Sequence, residues 1–574
     1  MEAYQKNYSE WLKSEVVDEL TLDELNAISS NENEIRLRFS EPLSFGTAGL
    51  RGVMRAGINA MNVYTVAHAT QALADVINED GEKGGVVIAW DSRNNSRLFA
   101  ETSCCVLCAN GIKVYMFPDL RPTPELSFAI RRLGCSAGIN ITASHNPMQY
   151  NGYKAYGENG AQISPEVADK IAQRMAKIDI FSDVSTMSYD EALGSGYVTV
   201  LDETIDDEYI KVVLDERVDK SLIPSMADNL KVVYTPLHGT GATIVPTLLK
   251  KAGVKNLYTV DEQIVPDGDF PTVVKPNPEY KEAFELGIEY ANRFGADLII
   301  ATDPDADRTG CTIRNAEGEF ITITGNQIGA LLLDYLLCAY EQNCTMPEEP
   351  YAVKSIVSTE LATKICDSHG VKMYNVLTGF KFIGEVMEEH IASGHGSFIL
   401  GFEESYGFLK GTYARDKDAC VASMLICEMA AFHQSHGRTL ADALNNLYEK
   451  YGYYKEGISE IYFEGVDGAE KMSAIMDVLR TNPPEKLGGE AIEKISDYLT
   501  SKITYLSSDS TRDIDLPKSN VIAFESENGN ISIARPSGTE PKIKFYFLCH
   551  ADSPEGAESI ANACKEDFAE LAQG

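Results

Sequence analysis

Short apolar runs separated by longer amphipathic stretches recur along most of the chain. VVIAW (86–90) is such a run, residues 96–110 have helical spacing, and IKVYMF (112–117) is a second apolar run. A helical stretch follows Pro124, and SAGINITAS (136–144) predicts a third strand that runs into a polar loop. Continuous apolar runs of this length are typical of strands that are buried on both faces of a parallel sheet.

The same alternation occurs twice more. LKVVYTPL, NLYTV and ADLIIATD predict the strands of a second unit, with helices over ATIVPTLLKKAG and near 280–294. YAVKSIV, VKMYNVL and SFILGFEESYG predict the strands of a third unit, with helices from Thr359 and from Phe382. Such alternation predicts α/β layers with largely parallel sheets. Each unit ends with an apolar strand that leads into a polar loop, and ligands of open α/β sheets bind at the carboxyl ends of strands.

The chain changes character after YGYYKEGISE. An amphipathic region is followed by NVIAFESENGNISIARPSGTEPKIKFYFL, whose alternation of apolar and polar residues predicts antiparallel strands. We interpret this part as a fourth, α+β domain. A chain of 574 residues needs several domains, because a single hydrophobic core rarely exceeds about 250–300 residues. The predicted domains cover residues 1–205, 206–315, 316–452 and 453–574.

The charge balance limits the partners of this protein. Fifty basic and 86 acidic residues give a formal net charge of −36, which repels a phosphate backbone and makes nucleic acid an unexpected partner. An anionic ligand must therefore be held by local clusters of Arg, Lys and backbone N–H groups.

Location follows from the apolar runs and the cysteines. The first twenty residues lack the apolar segment of a signal peptide, and the longest apolar runs are too short to cross a bilayer. Twelve cysteines without paired spacings fit a reducing cytoplasm. Cys105 and Cys108 form one C-x-x-C pair, which we interpret as buried thiols of a helix and not as zinc ligands. We therefore expect a cytoplasmic protein with no membrane partner.

The loop TASHNP (142–147) places Ser144 directly after a predicted strand. A serine hydroxyl is a poor nucleophile unless a base or a charged environment activates it. A Ser-Asn-Pro turn is also a common structural element, so both a nucleophile and a turn residue remain open. No G-x-S-x-G elbow surrounds Ser144, which excludes that hydrolase interpretation.

The loop ATDPDADRTG places Asp303, Asp305 and Asp307 at alternate positions after a predicted strand. Carboxylates so close together repel each other and raise one another's pKa unless a cation neutralises them. Oxygen ligands of this kind suit Mg²⁺, and a solvated acidic turn is the simpler alternative. An EF-hand is rejected because its required Gly and Glu positions hold Arg308 and Arg314. Arg308 beside the carboxylates favours a phosphoryl group as the ligand.

Two further loops carry weaker signals. GFEESYGF (401–408) presents Glu403 and Ser405, which can accept and donate hydrogen bonds to sugar hydroxyls, although glutamates in loops are usually just solvated. RDKDA (415–419) contains Lys417 between two aspartates, and a surface ion-pair turn is the simple alternative there.

The segment ARPSGTEPKIK (534–544) concentrates anion donors. Arg535, Ser537, Thr539 and the backbone of Gly538 form a compact set, because glycine lets successive N–H groups point at one anion. The segment is not a P-loop, which requires G-x-x-x-x-G-K-[ST]. A turn between two strands is the alternative interpretation.

Taken in order, TASHNP, DPDADR, GFEESYG and RPSGTEP resemble the motifs of the α-D-phosphohexomutase superfamily. FGTAGLRG (45–52) extends the resemblance towards the N-terminus, so that it covers most of the chain. The resemblance implies four domains around a central cleft, of which three are similar α/β units and the fourth is a smaller α+β domain.

The resemblance also implies a role for each matching residue. Ser144 matches the phosphoserine of the family, whose phosphate completes a Mg²⁺ site with three aspartates. The catalytic residues that it implies are Ser144, Arg51 and Lys417, with His145 as an alternative to Lys417 for the general acid/base. The metal ligands that it implies are Ser144, Asp303, Asp305 and Asp307. The substrate-binding residues that it implies are Arg308, Thr378, Glu403, Ser405, Arg535, Ser537, Gly538 and Thr539.

The implied reaction is the interconversion of glucose 1-phosphate and glucose 6-phosphate, with glucose 1,6-bisphosphate as intermediate and activator. Ser405 favours a hexose, whereas FGTAGLRG and YTPLHGTG also resemble a branch with phosphopentomutases, so mannose and pentose phosphates stay open as substrates. A non-catalytic sugar-phosphate sensor is an alternative of another class, although neither Ser144 nor any of the three aspartates is missing. The sequence leaves both a monomer and a homodimer open.

Overall fold

The structure, a computed structural model, describes residues 2–47, 49–81, 84–463, 468–537 and 542–571. The chain divides into two compact units: Met1–Ile323 with Tyr406–His436, and Thr324–Ser405 with Gly437–Gly574. None of the helices within the described ranges combines the length and the apolar character that a membrane span requires.

The first unit begins with three helices and a six-stranded sheet. The bounds of these elements are α1 Ala3–Lys13, α2 Glu19–Ala27, α3 Glu32–Phe39, β1 Leu50–Val53, α4 Val63–Asp80, β2 Val86–Trp90, α5 Ser96–Ala109, β3 Val114–Met116, α6 Thr123–Leu133, β4 Ala137–Ile141, β5 Tyr150–Gly157, α7 Pro165–Met175, α8 Tyr189–Gly194 and β6 Val198–Val200. The strand order is β1-β5-β4-β2-β3-β6. β4, β2, β3 and β6 run parallel, whereas β5 and β1 are antiparallel additions at one edge. β2 and β4 are buried along their whole length, as their apolar runs predict.

A second sheet follows in the same unit. Its elements are α9 Glu203–Asp215, α10 Leu222–Ser225, β7 Lys231–Thr235, α11 Gly241–Ala252, β8 Asn256–Thr259, a 3-10 turn at Lys281–Phe284, α12 Glu285–Phe294, β9 Leu298–Thr302, β10 Thr309–Arg314 and β11 Phe320–Ile323. The order is β11-β10-β9-β7-β8, in which β9, β7 and β8 are parallel and β10 and β11 are antiparallel. Both sheets therefore have a parallel core with an antiparallel edge.

The second unit starts with a third group of strands and helices. They are α13 Gly325–Gln342, β12 Pro350–Ser355, α14 Leu361–Ser368, β13 Lys372–Val376, α15 Phe380–Ser393 and β14 Ser397–Glu403. β13, β12 and β14 pair in parallel in that order. The chain then returns to the first unit for β15 Gly407–Leu409 and α16 Ala419–Ser435.

The rest of the second unit is rich in antiparallel strands. Its elements are α17 Leu440–Tyr451, β16 Tyr453–Tyr462, α18 Gly468–Thr481, β17 Lys486–Leu487, β18 Glu490–Asp497, β19 Lys502–Tyr505, β20 Ser510–Asp513, β21 Ile522–Ser526, β22 Ile531–Pro536, β23 Lys542–Ala551 and α19 Pro554–Leu571. The strand order is β16-β23-β22-β21-β18-β19-β20, with β17 paired to β18. α18 and α19 bury apolar side chains, such as Phe568, against this sheet.

The α/β class predicted from the sequence is confirmed, with three α/β sheets and a separate β-rich C-terminal part. The division at residues 205, 315 and 452 stays a prediction. Cys104, Cys105 and Cys108 are buried in α5, so the prediction of packed thiols is confirmed.

Three predicted element bounds need correction. The strand predicted over 136–144 ends at Ile141, because Ser144 has a φ of 50°, which a strand does not accommodate. The helices expected from Thr359 and Phe382 begin at Leu361 and Phe380.

Candidate active site

The serine loop and the aspartate loop of the first unit have equivalent places in their sheets. The serine loop joins parallel β4 to antiparallel β5, and the aspartate loop joins parallel β9 to antiparallel β10. Each loop therefore leaves the carboxyl end of a buried strand, where backbone and side-chain groups are free to face a ligand. The two loops meet, since the hydroxyl of Ser144 donates a hydrogen bond to Asp303, with Oγ 2.7 Å from Oδ2.

A buried arginine holds the serine loop in place. The guanidinium of Arg93 donates hydrogen bonds to the carbonyl oxygens of Ser144 and Asn146, and also to those of Pro147 at 2.9 Å and Tyr150 at 3.1 Å. Ser144 itself lies in the left-handed region with a φ of 50°, a conformation that persists only where surrounding bonds enforce it. Arg93 therefore supplies the bonds that hold the strained serine in position.

Asp91 links this arginine to the end of β4. Its carboxylate lies 3.2 Å from Arg93 Nε, and neither side chain is exposed. The hydroxyl of Thr142 donates to Asp91 at 2.6 Å and accepts the N–H of Ser144 at 2.8 Å. Sequence reasoning missed Asp91 and Arg93. The available signal was their place directly after β2, which neighbours β4 in the sheet.

The three aspartates converge on one point. Asp303, Asp305 and Asp307 are buried, and each offers a carboxylate oxygen within 4.8 Å of the others. One oxygen of Asp303 accepts the N–H groups of Asp307 at 3.1 Å and Arg308 at 3.0 Å. Ala306, between the second and third aspartates, has a φ of 51°, which turns the loop back on itself. The arrangement brings together three of the four predicted metal ligands.

Two carboxylate oxygens of this cluster are unsatisfied. Oδ1 of Asp305 and Oδ1 of Asp307 are buried and have no hydrogen-bond partner among the described residues. Burial raises the pKa of Asp303 well above its usual value, and the charges of Asp305 and Asp307 act in the same direction. Buried acceptors without donors are costly, and a bound cation removes that cost. The cluster can therefore hold a divalent cation.

Two lysines already neutralise part of the cluster. Lys154 Nζ lies 2.8 Å from Asp305 Oδ2 and 3.7 Å from Asp307 Oδ2. Burial alone would raise the pKa of Asp305, but the charge and hydrogen bond of Lys154 overcome it and the pKa lies below its usual value. The hydroxyl of Thr123 also donates to Asp305 at 2.8 Å. Neither Lys154 nor Thr123 was identified from the sequence, because nothing in their own segments marks them.

Lys417 is the second lysine. Its Nζ lies 3.1 Å from Asp307 Oδ2 and 2.8 Å from Asp416 Oδ1. Only 8% of Lys417 is exposed, so the surface ion-pair turn considered for RDKDA is wrong. Burial alone would raise the pKa of Asp416, but Lys417 and Lys154 hold it below its usual value. The RDKDA segment thus lies against the aspartate loop.

His145 adjoins the serine, and the charges of Arg51 and Arg308 act on His145. Arg308 also forms an ion pair with Glu279, with Nη1 2.7 Å from Oε1. The Nδ1 of His145 lies 3.1 Å from Ser144 Oγ. Burial holds the pKa of His145 well below its usual value, and the positive charges of Arg308 and Arg51 add to this effect. Arg51 on β1 donates to the side-chain oxygen of Asn146 at 3.2 Å.

The sugar-loop residues lie in the second unit. Glu403 is 5% exposed, and its Oε1 accepts the N–H of Gly379 at 2.7 Å. Thr378, directly before this glycine, has a buried Oγ1 without a partner among the described residues. Ser405 is half-buried. Two loops that are distant in sequence, around Thr378 and Glu403, therefore adjoin.

The segment proposed to bind phosphate is only partly described. Gly538 and Thr539 lie outside the described residues. Arg535 is on β22, and the N–H of Ser537 donates to the carbonyl of Lys542 at 2.8 Å.

Tyr546 on β23 connects this segment to the sugar loop. Burial raises the pKa of Tyr546, the charges of Glu404 and Glu403 raise it further, and a hydrogen bond with Arg535 opposes them. Arg535 of the predicted phosphate segment and Glu403 of the predicted sugar loop thus both influence the pKa of Tyr546. The sequence analysis did not identify Tyr546.

Comparison with known proteins agrees with this geometry. Residues 42–180, 207–318 and 324–451 match the descriptions "Phosphoglucomutase/phosphomannomutase, alpha/beta/alpha domain" I, II and III. A phosphoglucomutase of Staphylococcus aureus strain N315 is 39% identical over 515 residues, which cover 89% of this chain and 90% of that protein.

Two solved structures have a similar fold. The phosphoglucomutase pp63/parafusin from Paramecium, in an open form, is 19% identical with a TM-score of 0.69, over 92% of this chain and 95% of that one. A putative phosphomannomutase from Thermus thermophilus is 21% identical with a TM-score of 0.67, over 93% of this chain and all of that one. The chain therefore belongs to the α-D-phosphohexomutase superfamily, as a member of its phosphoglucomutase/phosphomannomutase family of phosphotransferase isomerases.

Proposed function

We propose that the protein interconverts glucose 1-phosphate and glucose 6-phosphate, with Ser144 as the carrier of the phosphoryl group. The family and the phosphoglucomutase relative support the reaction class. The observation that carries the proposal is the hydrogen bond from Ser144 to Asp303 at 2.7 Å, because it joins the predicted phosphate carrier to the predicted cation ligands.

We propose Mg²⁺ as the cation. The donor set consists only of carboxylate oxygens, which Mg²⁺ prefers, and two of these oxygens lack a hydrogen-bond partner among the described residues. Asp303, Asp305 and Asp307 would hold the ion together with the phosphate on Ser144. When bound, it supplies positive charge that offsets the charge on the oxygens of the transferring phosphoryl group.

Two transfers complete the reaction. In the first, the bond between phosphorus and Ser144 Oγ breaks, the free hydroxyl of glucose 1-phosphate attacks phosphorus, and the hydroxyl proton passes to a base. The product is glucose 1,6-bisphosphate, which also activates the enzyme by phosphorylating Ser144. In the second transfer, Ser144 Oγ attacks the other phosphate of the bisphosphate, and the sugar oxygen regains a proton as glucose 6-phosphate leaves. Positioning and charge neutralisation account for most of the catalysis.

We assign the proton transfers to Lys417 instead of His145. Lys417 Nζ touches the aspartate cluster through Asp307, where the reacting oxygens arrive. The lowered pKa of His145 keeps its ring uncharged at neutral pH, so that the ring orients the oxygen of Ser144 without adding charge. Arg51 and Arg308, whose charges act on His145, add positive charge to this part of the site.

We assign recognition of the substrate to the sugar-loop and phosphate-loop residues. Glu403 and Ser405 bind sugar hydroxyls, and Thr378 offers a buried hydroxyl whose acceptor the ligand provides. Arg535, Ser537, Gly538 and Thr539 bind the phosphate that does not react. Gly538 and Thr539 are assigned from their motif alone.

The unpaired state of all twelve cysteines supports a cytoplasmic location. Hexose phosphates are the proposed small-molecule partners.

A coupled assay tests the substrate. Glucose 1-phosphate, mannose 1-phosphate and ribose 1-phosphate are compared with Mg²⁺ and glucose 1,6-bisphosphate present, and glucose 1-phosphate should give the highest kcat/KM. Faster turnover of the pentose phosphate would overturn the choice of glucose.

Intact-protein mass tests the phosphoserine. Incubation with glucose 1,6-bisphosphate should add one phosphoryl group to the native protein and to Ser182→Ala, a variant of an exposed serine. Ser144→Ala should gain none and lose activity. Full activity in Ser144→Ala would refute the mechanism, and an active native protein without any phosphate would refute the carrier. If the protein binds hexose phosphates but converts none of them, the alternative of a non-catalytic sugar-phosphate sensor would be supported instead.

A further inference from the structure

A second group of metal-ligand side chains lies on the other unit. Asp334 and Cys338 are four residues apart on α13 and therefore share one face of the helix. His369 directly follows α14. The three side chains offer an oxygen, a sulfur and a nitrogen atom that lie within 4.8 Å of one another.

The histidine is oriented for ligation. Its side chain is only 7% exposed, and Nδ1 lies 2.7 Å from Glu341 Oε1 on α13. Nε2 is buried and has no hydrogen-bond partner among the described residues. Donation from Nδ1–H to the carboxylate of Glu341 leaves the lone pair on Nε2, and a carboxylate in this position is the usual support of a metal-bound histidine. In this tautomer, Nε2 is the ring nitrogen that can bind a metal ion.

We propose that Asp334, Cys338 and His369 bind a zinc ion. One thiolate, one imidazole and one carboxylate form a donor set that suits Zn²⁺, and three protein ligands leave the fourth tetrahedral position to water. Mg²⁺ prefers oxygen donors alone, so this group differs in kind from the Asp303, Asp305 and Asp307 cluster.

Charges around the group are compatible with a divalent cation. Lys450 and Arg438 are near enough to act on Asp334 and Cys338, and Glu341 adds a negative charge. With Cys338 ionised, the two ligands and Glu341 carry three negative charges against two positive ones. Zn²⁺ thus enters a site that is net negative by one charge.

The ion would join α13 to the end of α14. These helices already pack against each other in the second unit, and His369 already bonds to Glu341 on α13. The ion would add a second cross-link between the same two elements. No residue of this group belongs to the motifs proposed for catalysis. The inference therefore stands apart from the proposed function, and its tests do not depend on turnover.

Thiol labelling of the full-length, Mg²⁺-saturated protein tests the site directly. All twelve cysteines are described, and Cys338 and Cys344 are the two that are not buried. In Cys344→Ser, a thiol reagent should therefore modify Cys338 fastest. Zn²⁺ should slow this modification at least tenfold, and a chelator should restore it. An unchanged rate with Zn²⁺ present would overturn the proposal.

Cobalt provides a second readout, since Co²⁺ bound to a thiolate has a charge-transfer absorption in the near ultraviolet. The native protein and Cys344→Ser should acquire this absorption with Co²⁺, whereas Cys338→Ser should not. His369→Gln should bind Zn²⁺ more weakly than the native protein. The Zn²⁺ affinity of Glu341→Gln should be about 10–100-fold lower than that of the native protein.

Circular dichroism shows whether each variant is folded. A folded Cys338→Ser that retains the cobalt absorption, or a folded His369→Gln with undiminished Zn²⁺ affinity, would refute the ligand assignment.

Discussion

The hydroxyl oxygen of Ser144 lies 2.7 Å from a carboxylate oxygen of Asp303, 159 residues further along the chain. Ser144 lies in the loop after a strand of the first sheet, and Asp303 lies in the loop after a strand of the second sheet. The contact therefore forms because both sheets belong to one compact unit. The contact places a hydroxyl at the edge of a buried cluster of negative charge. A phosphoryl group on that hydroxyl and a cation on the carboxylates would therefore be in direct contact.

Replacing Asp303 by asparagine should reduce kcat by about 10²–10³-fold, because one charged group at the site of charge development is lost. The matched control is Asp297→Asn, directly before the strand β9 that Asp303 directly follows. The carboxylate of Asp297 is 65% exposed and pairs with Arg314. Steady-state kinetics with saturating Mg²⁺ measure both. Equal kcat values for Asp303→Asn and the control would contradict the role of this aspartate.

Arg93→Met should lower the free energy of unfolding by about 3–5 kcal/mol, because it leaves the buried carboxylate of Asp91 without its partner. The carbonyl oxygens of the serine loop lose their donors at the same time. Urea unfolding measures the loss, and Arg97→Met, on the exposed face of α5, is the control. A stability equal to that of the control would show that the serine loop holds its conformation without Arg93.

Lys154→Met should show a loss of stability that depends on the cation. Without divalent cations, it removes the positive charge beside Asp305 and should cost about 3–5 kcal/mol. With Mg²⁺ the loss should be smaller, because the ion replaces part of the missing charge and stabilises the folded state by about 2.7 kcal/mol at one hundred times its Kd. Urea unfolding with EDTA and with Mg²⁺ gives the two values. An identical loss in both conditions would argue against a cation at this cluster.

Glu125 should make stability depend on pH. It is fully buried on α6, and burial raises its pKa well above the usual value, helped by the charge of Asp206. The folded protein thus keeps a proton that the unfolded chain releases above about pH 4.5. Stability therefore falls as pH rises from there towards the folded-state pKa, by up to about 1.4 kcal/mol per pH unit.

Glu125→Gln replaces the titrating carboxyl group by a neutral amide. The free energy of unfolding should therefore fall less steeply as the pH rises. Its gain in unfolding free energy over the native protein should be larger at about pH 8 than at about pH 5. Glu166→Gln, at the exposed start of α7, should show no such difference. An equal gain for Glu125→Gln at both pH values would mean that Glu125 has the same pKa in the folded and unfolded states.

Local patterns predicted most of the strands and helices. VVIAW and ADLIIATD contain β2 and β9, because a strand buried on both faces needs an uninterrupted apolar run. Element ends were less predictable: SAGINITAS continues in apolar and small residues, and only the bonds to Thr142 and Arg93 show that the strand stops before Ser144.

The site was predictable where its chemistry is concentrated in a short segment. Ser144 and the three aspartates stand in motifs that a reader of the sequence can find. Lys154 and Thr123 stand alone on an ordinary strand and an ordinary helix, and Asp91 stands alone in the loop after β2. Lys417 had a surface turn as a simple alternative explanation.

The sequence by itself determined the α/β class, the order of the polar loops and the resemblance to a superfamily, because apolar periodicity and short motifs are local properties of a chain. Only the tertiary structure decided that Lys154 and Lys417 neutralise the aspartates, that Arg93 holds Ser144, and that His369 meets Cys338. These relationships join residues from separate elements, and their energies arise from burial and charge proximity. Both quantities exist only once the sheets and helices have packed.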